Sequence, residues 1–236
     1  MHDLTIAIPV YNEAENIRFA VEKIEKEVNA PHIIKIIYDM ETDTTLPIAY
    51  ELQKTYESLE LVKNFYGRGV LGAIKTGLES SQTEFVVVTM ADLSDPPEVI
   101  NEMLKIAKEQ NADIVCASRY MKGGKQIGGP FFKGIMSRFA GLTLHYFAKV
   151  PTHDATNSFK LYRTSFLKEQ KIESTGGFEL GIELIAKAHL QGKKICETPT
   201  TWTDRVAGKS NFKLKAWLPK YLKWYFAAFK RREIHE

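Results

Sequence analysis

The sequence lacks the features that mark several whole classes of protein. It has 2 Cys among 236 residues, too few for a disulfide framework. None of its apolar runs approaches the roughly 18 residues that a transmembrane helix needs, and the opening MHDLTIAIPVYNEAE has no basic leader. Its 32 Lys and Arg nearly balance 29 Asp and Glu, so the net charge of +3 does not indicate nucleic acid as a partner. We expect a cytoplasmic protein with reduced, buried cysteines.

The composition is that of a globular protein large enough to bury a core. Hydrophobic residues make up 44% of the chain and charged residues 26%, close to the averages for globular domains. The length fits one large α/β domain with an appendage better than two full domains. We expect the domain to span residues 1–211 and a basic, aromatic helical tail to span residues 212–236.

Apolar strand-like runs alternate with helix-period segments along the first half of the chain. We predict strands at Leu4–Pro9, Ile33–Tyr38, Leu59–Lys63, Glu84–Met90 and Ala112–Ala117, and helices at 13–29, 46–57, 70–80 and 96–110. Alternation with short links is typical of a mostly parallel sheet covered by helices on both faces. The fold class is therefore α/β.

The pattern changes after Tyr120. The string MKGGKQIGGP holds four Gly and one Pro in ten residues, which indicates a mobile loop. Helices at about 131–148 and 177–191 and a strand at Lys194–Pro199 follow. We interpret this half as acceptor-side elaboration on the sheet.

Three predicted strands end in polar residues. In open parallel sheets the carboxyl ends of strands line the ligand crevice. These ends read Pro9-Val10-Tyr11-Asn12-Glu13, Tyr38-Asp39 and Met90-Ala91-Asp92. We expect them to share one crevice, although Asn12 could equally cap the next helix.

Seven short motifs occur in order from residue 4 to about residue 215. They are AIPVYNEAENI, YDMETDTT, GRGVLGAIKTG, MADLSDPPE, ASRY, DATNSFKLYR and ETPTTWTDRVAGKS. Together they resemble family 2 glycosyltransferases of the GT-A fold, especially the dolichyl-phosphate mannose synthase type and its bacterial polyprenyl-phosphate relatives. The resemblance implies an inverting enzyme of cell-envelope glycan biosynthesis that moves a sugar from a nucleoside diphosphate to a lipid phosphate or a glycan hydroxyl.

The resemblance also implies a set of residues for the donor, a GDP-sugar or a UDP-sugar. Carboxylates suit this task because they accept two hydrogen bonds from base N–H groups or ribose hydroxyls. Asp43 matches a further acid of the family, and Arg68 or Lys75 would lie near the phosphate or the base. The implied donor-binding residues are Pro9, Tyr11, Glu13, Asp39, Ala91, Asp92 and Lys75.

The acidic pair that holds a divalent cation in this family is incomplete, because it reads Met90-Ala91-Asp92. Asp92 alone could bind Mg²⁺ or Mn²⁺ if the donor diphosphate supplies the other oxygens. Asp95 could add a second carboxylate. We favour Asp95 as a helix N-cap, since Asp-Pro-Pro-Glu has the form of a helix start.

The resemblance implies that cations stabilise the leaving diphosphate and bind the acceptor. A metal held by Asp92 would neutralise charge on the leaving diphosphate, and Arg205 and Lys209 would help it. Acceptor phosphate would meet Arg119, Lys133, Arg138 and Lys209. For a hydroxyl acceptor, Asp154 would be the general base, unless it only orders its loop. The candidate catalytic set is Asp92, Asp154, Arg119 and Arg205.

We assign no chemical role to several other polar residues. Arg163, Glu179 and Glu183 could form structural ion pairs. The chain also departs from the family at Asn157-Ser158, where Ser-Gly is usual, and at Asn211, where Lys is common; both lie on the acceptor side.

The tail from Lys213 to Arg232 interleaves aromatic and basic residues. Such a segment could lie in a membrane interface, making the protein peripheral at the inner face of the membrane. We favour packing on the domain or on a second copy in a homodimer, because Pro219 should interrupt one long helix.

Three other functions are alternatives to a glycosyltransferase. Met90 stands where the family has the first acid of the metal-binding pair. This change allows a non-catalytic module that only binds nucleotide sugars. Residues Gly67–Gly72 fit the GxGxxG pattern of dinucleotide-binding proteins, but this pattern belongs after the first strand and here follows the third. A nicotinamide or flavin enzyme is therefore disfavoured. A nucleotidyltransferase should carry a Gly-rich basic loop after the first strand, and PVYNEAE has none.

Overall fold

A computed structural model describes residues 2–204 and 214–230 of the chain. The strands are β1 (Leu4–Pro9), β2 (His32–Tyr38), β3 (Leu59–Lys63), β4 (Phe85–Val88), β5 (Ile114–Ser118), β6 (Lys125–Ile127), β7 (Lys160–Arg163), β8 (Ile195–Pro199) and β9 (Thr201–Thr203). The helices are α1 (Ile17–Glu27), α2 (Leu46–Gln53), α3 (Val70–Glu79), α4 (Val99–Glu109), α5 (Phe131–Tyr146), α6 (Thr164–Lys168), α7 (Leu180–Leu190) and α8 (Leu214–Ala227).

A seven-stranded sheet in the order β3-β2-β1-β4-β7-β5-β8 forms the centre of the fold. All of its neighbouring pairs are parallel except those of β7. Helices α1, α2 and α4 pack on one face, and α3 with α5 to α8 on the other. The α/β class, the mostly parallel sheet and the helices on both faces are confirmed.

The apolar periodicity explains why the first half folds as predicted. Ile17, Val21 and Ile24 lie on one side of α1 and are fully buried, as spacings of three and four residues require. The run Phe85–Val88 is buried at every position because helices cover both faces of a central parallel strand. The predicted strands Leu4–Pro9 and Leu59–Lys63 have the observed bounds.

Two expectations for the second half were wrong, and one strand was not predicted. The Gly-rich loop contains β6, which pairs in parallel with β9 in a separate two-stranded sheet; its glycines flank the strand, so composition alone indicated a loop. The segment before α6 contains the antiparallel β7, which was not predicted. Cys116 is buried as expected, but Cys196 is only half-buried.

Helix α8 runs through Pro219, so the expected interruption does not occur. Pro219 itself is exposed. Trp224 and Ala228 are buried against the domain, so part of the tail packs as we favoured. The predicted boundary at 211/212 falls outside the described residues. No helix within the described ranges is long and apolar enough to cross a membrane.

Candidate active site

The loops after β1 and β2 are tied together at the carboxyl edge of the sheet. The Asn12 N–H donates to Asp43 Oδ1 at 3.1 Å, and Asn12 Oδ1 accepts the Thr44 N–H at 3.2 Å. Asn12 has a φ of 55°, and α1 begins only at Ile17. The alternative of Asn12 as a helix cap is therefore wrong: this side chain joins two loops.

Two acids anchor the same pair of loops. The Glu13 N–H donates to Thr45 Oγ1 at 2.9 Å, and Glu13 Oε2 accepts from Asn16 Nδ2 at 2.7 Å. Asp43 Oδ1 also accepts the Thr45 N–H at 2.9 Å. Asp43 Oδ2 is buried and has no protein partner, which is costly unless another donor reaches it. The neighbouring Tyr11 is 53% exposed.

Asp39 binds the loop of residues 64–69, which follows β3, and part of this contact runs through Asn64, which was not predicted. Asn64 Nδ2 donates to Asp39 Oδ1 at 2.7 Å and to the Gly67 carbonyl at 2.5 Å. Asn64 Oδ1 accepts from the Tyr66 N–H at 2.9 Å and Thr76 Oγ1 at 3.0 Å. Asp39 Oδ2 accepts the Gly69 N–H at 2.9 Å. The signal that could have identified Asn64 is its position directly after β3, at the same sheet edge as Asp39.

The two basic candidates near this loop are Arg68, an exposed residue of the loop, and Lys75, a half-buried residue of α3. Lys75 Nζ lies 3.9 Å from the centre of the Tyr66 ring, a cation–π distance. Arg68 Nη2 contacts Met40 Sδ at 3.3 Å. The loop joins β3 to α3. It therefore follows the third strand, whereas a dinucleotide-binding loop follows the first strand of its domain.

Asp92 follows β4 and is half-buried, next to the buried Ala91. Its Oδ1 accepts the Ser94 N–H at 3.0 Å. Asp95 is 8% exposed and accepts from Asn157 Nδ2 at 3.2 Å. Burial raises the pKa of Asp95 to about 7, against opposing effects of Asn157 and Arg119.

Asp95 does not cap a helix, so that expectation was wrong. Helix α4 begins at Val99 and has no side-chain cap. The prolines after Asp95 form a turn first, in which the Val99 N–H donates to the Pro96 carbonyl at 3.2 Å. The partner of Asp95 is Asn157, one of the positions at which the chain departs from the family pattern.

The residues fit a divalent cation only together with a diphosphate. The part of the chain that the structure describes contains no group of three or more His, Cys, Asp or Glu able to hold a metal ion. Mg²⁺ or Mn²⁺ can sit on one carboxylate when substrate phosphates supply other ligands. Asp92 matches that arrangement, with oxygen chemistry that suits either ion.

Arg119 and Asp154 form a buried ion pair. Arg119 Nε donates to Asp154 Oδ2 at 2.7 Å and Nη2 donates to Oδ1 at 2.9 Å. The side chain of Arg119 is 10% exposed and that of Asp154 is fully buried. Burial opposes both charges, yet the pairing lowers the pKa of Asp154 and raises the pKa of Arg119 from their ordinary values. These contacts favour the alternative in which Asp154 orders its loop and does not act as a general base.

The segment around Asp154 is fixed on both sides. Glu197 accepts from Thr152 Oγ1 at 3.0 Å and from the His153 N–H at 2.8 Å. Beyond Asp154, the buried Lys160 donates from Nζ to the Asn157 carbonyl. Burial lowers the pKa of Lys160. Lys160 was not predicted to be buried, because a Lys in a strand is usually exposed.

The remaining candidates divide into three groups. Lys133 and Arg138 lie on α5, whose Ser137 Oγ accepts from Arg119 Nη2 at 2.9 Å. Arg205, Lys209 and Asn211 lie outside the described residues. The residues without assigned chemistry have structural partners: Arg163 pairs with Glu84 at 2.5 Å, Glu183 with Lys187 at 2.7 Å, and Glu179 accepts the Gly177 N–H at 2.6 Å.

Residues 5–170 match the model of Glycosyl transferase family 2, so the chain belongs to that family. It is 27% identical over 230 residues to a dolichol-phosphate mannosyltransferase of Pyrococcus furiosus, covering 96% of this chain and 64% of that relative. It is also 27% identical over 212 residues to a polyprenol monophosphomannose synthase of Mycolicibacterium smegmatis, covering 87% of this chain and 79% of the other. The chain thus spans less than two thirds of the length of the first relative.

Solved structures resemble the fold of this chain across nearly its whole length. Staphylococcus aureus TarS 1-349 in complex with UDP-GlcNAc matches with a TM-score of 0.70 and 17% identity, covering 99% of this chain and 68% of TarS. The mannosyltransferase PcManGT of Pyrobaculum calidifontis, in complex with GDP-Man and Mn²⁺, matches with a TM-score of 0.63 and 16% identity, covering 96% and 63%. The GT-A fold expected from the motifs is thereby confirmed.

Proposed function

We propose that this chain is an inverting glycosyltransferase that moves a sugar from a GDP-sugar or a UDP-sugar to a polyprenyl phosphate. The observation that carries the proposal is the sheet order β2-β1-β4, in which three parallel strands end at one edge and are followed along the chain by Glu13, Asp39, Asp43 and Asp92. A single crevice with these acids suits a nucleoside at one end and a cation-bound diphosphate at the other. The names of the two relatives favour a lipid phosphate acceptor.

The nucleoside end of the crevice would lie on the loops after β1 and β2. Pro9 and Tyr11 offer an apolar surface for the base, with Glu13 and Asp39 as hydrogen-bond acceptors. Asp43 Oδ2, which has no protein partner, could accept from a base or ribose group. The diphosphate would then extend past Ala91 and Lys75 to Asp92.

A divalent cation, Mg²⁺ or Mn²⁺, would be held by Asp92 and the diphosphate. When bound, it neutralises the charge that develops on the leaving group. Arg205 and Lys209 would also neutralise charge on the leaving group. This role is proposed from the motif ETPTTWTDRVAGKS alone, which contains both residues. Asp92 would hold the cation through its carboxylate, which accepts the Ser94 N–H.

The buried ion pair favours a phosphate acceptor over a sugar hydroxyl. A hydroxyl must lose a proton during transfer, whereas a phosphate is already an anion. Asp154 would be a poor base because its carboxylate is bound on both oxygens by Arg119. We therefore assign Asp154 and Arg119 to positioning, with Lys133, Arg138 and Lys209 meeting the acceptor phosphate. A glycan hydroxyl remains the alternative acceptor.

A non-catalytic nucleotide-sugar-binding module is the second candidate. Met90, which replaces the first acid of the usual pair, favours it because a thioether is a poor ligand for Mg²⁺ or Mn²⁺. The cell-envelope role and the cytoplasmic location follow from the acceptor class and belong to the proposal. Peripheral contact with the inner face of the membrane through the C-terminal tail belongs to the proposal as well.

Transfer of labelled sugar tests the proposal. GDP-mannose, UDP-glucose and UDP-GlcNAc are each incubated with the chain, Mn²⁺ and a short-chain polyprenyl phosphate. We expect transfer from one donor and a loss of about a hundredfold or more in turnover for Asp92→Asn. Asp3→Asn, at the opposite edge of the sheet, is the matched control. Nucleotide binding without transfer from any donor would favour the module, and wild-type turnover in Asp92→Asn would remove the metal role.

A further inference from the structure

Asn157 is a buried residue whose side chain joins three parts of the chain. Its Nδ2 donates to Asp95 Oδ1 at 3.2 Å, in the loop after β4, and to the Ala117 carbonyl at 3.1 Å, in β5. Its Oδ1 accepts the Phe159 N–H at 3.3 Å, just before β7. An asparagine side chain offers two N–H donors and one carbonyl acceptor. Both donors and the acceptor of Asn157 are therefore in use.

The main chain of Asn157 extends this set of contacts to the buried ion pair. Its N–H donates to Asp154 Oδ1 at 3.1 Å, and the same oxygen accepts from Arg119 Nη2 at 2.9 Å. The Asn157 carbonyl accepts from the buried Lys160. Asn157 therefore connects Asp95, on the donor side of the candidate site, to the Arg119–Asp154 pair on the acceptor side.

The turn that carries Asp92 ends at Asp95. Within it, Asp92 Oδ1 accepts the Ser94 N–H at 3.0 Å, and the Leu93 N–H donates to the Met90 carbonyl at 3.3 Å. Leu93 has a φ of 52°, a left-handed conformation that is costly for any side chain larger than that of glycine. Such a conformation persists only where the surrounding structure fixes the chain. Strand β4 fixes the turn on one side, and the contacts of Asp95 fix it on the other.

Two properties of the Asp95–Asn157 contact determine what its loss would do. The Ser94 carbonyl also accepts the Thr203 N–H of β9 at 2.9 Å, so loss of the contact would shift the turn without unfolding it. Burial raises the pKa of Asp95 to about 7, so the carboxyl is partly neutral near that pH. The contact therefore depends on an acceptor oxygen at position 95 and not on its charge.

The contact belongs to this chain and not to the general pattern of its family. Serine is usual where this chain has Asn157, and a serine hydroxyl has a single donor, which could not serve both Asp95 and Ala117. The same chain has Met90 in place of the first acid of the metal-binding pair. A cation would then have Asp92 as its protein carboxylate, with no second acid of that pair to correct its position.

We propose that Asp95 and Asn157 are positioning residues that fix the Asp92 turn relative to the Arg119–Asp154 pair. Group transfer requires the donor and the acceptor to be aligned, and a misplacement of about 1 Å can cost about a hundredfold in rate. The consequence for the cation on Asp92 rests on the proposed function. The contact between the two sides of the site does not, so the two can fail separately.

Calorimetric titration with and without Mn²⁺ tests the positioning role. GDP and UDP are titrated into the wild-type chain, Asn157→Ala and Asp95→Ala. Both variants should reduce the gain in affinity from Mn²⁺ by about fivefold, the factor that one hydrogen bond supplies. Affinity without Mn²⁺ should stay unchanged, because the nucleoside end of the crevice lies on the loops after β1 and β2. Asp95→Asn should keep the gain, since its amide oxygen can still accept from Asn157.

Two further variants separate positioning from a general loss of structure. Asn101→Ala removes hydrogen bonds far from the site and should behave as wild type. The double variant Asp95→Ala/Asn157→Ala should lose no more than either single variant, because both substitutions remove the same hydrogen bond. If Asn157→Ala shows no cooperative unfolding in urea, Asp95→Ala and Asp95→Asn carry the test.

Three results of these titrations would overturn the proposal. The first is a gain from Mn²⁺ in Asp95→Ala and Asn157→Ala as large as in wild type. The second is an equal loss of affinity with and without Mn²⁺, which would reflect a general loss of structure. The third is the same loss in Asp95→Asn as in Asp95→Ala.

Amide hydrogen exchange followed by NMR tests the contact independently of any ligand. The Leu93 and Ser94 amides should exchange about fivefold faster in Asp95→Ala than in wild type, whereas the Asn12 and Thr45 amides should be unchanged. If Mn²⁺ has no effect on wild type, the proposed cation role of Asp92 fails, and faster exchange at Leu93 and Ser94 would still support the contact. Exchange at these two amides equal to that of wild type would overturn the proposal.

Discussion

Removing the charge of Asp154 should destabilise the fold far more than removing the charge of an exposed pair with the same separation. Asp154→Asn leaves Arg119 charged and 10% exposed, with an amide where it had a carboxylate. Loss of one partner of a buried ion pair costs about 3–5 kcal/mol. Two charge-assisted hydrogen bonds at about 1.5–3 kcal/mol each give a similar figure. The loss is a large fraction of the roughly 5–15 kcal/mol by which domains are stable.

Urea unfolding measures this loss, and Arg18–Glu51 provides the control. That pair also has a separation of 2.7 Å, but its side chains are 48% and 64% exposed, so Glu51→Gln should cost about 1 kcal/mol or less. Because the pKa of Asp154 is lowered in the fold, its contribution is present above about pH 4 and is lost as the pH falls further. A cost for Asp154→Asn no greater than that for Glu51→Gln would refute the reasoning.

Three other substitutions test separate parts of the structure. Burial raises the pKa of Asp95 to about 7, so Asp95→Asn should leave the free energy of unfolding unchanged near pH 4. Above about pH 7 it should raise that free energy by ~4 kcal/mol at most. An equal effect of the substitution at both pH values in urea unfolding would contradict this. Asn64→Ala should weaken nucleoside diphosphate binding about tenfold by releasing Asp39, whereas Asn101→Ala, which removes hydrogen bonds far from the site, should not alter binding in calorimetry. Gly141→Ala should lower the melting temperature because its Cβ would lie 2.1 Å from a backbone oxygen, whereas Gly181→Ala, with 3.5 Å to its nearest atom, should leave it unchanged or raise it.

The parts of the fold that the sequence predicted are those in which local pattern and packing agree. Leu4–Pro9 is a continuous apolar run with helices on both sides, so the run alone marks the strand. Lys160–Arg163 gives the opposite case. Its strand contains a buried Lys and pairs antiparallel with neighbours more than 40 residues away in sequence, and no local pattern encodes that insertion.

The candidate site divides along the same line. Asp39 and Asp92 follow predictable strands, so their presence at the carboxyl edge could be expected from the topology. Their immediate partners could not be. Asp95 has the sequence context of a helix cap, and only the tertiary approach of Asn157 directs it elsewhere. Asn64 was missed because its role depends on contacts with two loops at once.

Calorimetric titration of nucleoside diphosphates tests the central claim, that Asp92 holds the donor diphosphate through a cation. GDP and UDP are titrated into the wild-type chain and into Asp92→Asn, each with and without Mn²⁺. We expect Mn²⁺ alone to bind weakly and to raise the affinity for one nucleotide by about tenfold or more in the wild type, with little effect in Asp92→Asn. An equal effect of Mn²⁺ on both proteins, or no binding of either nucleotide, would contradict the account.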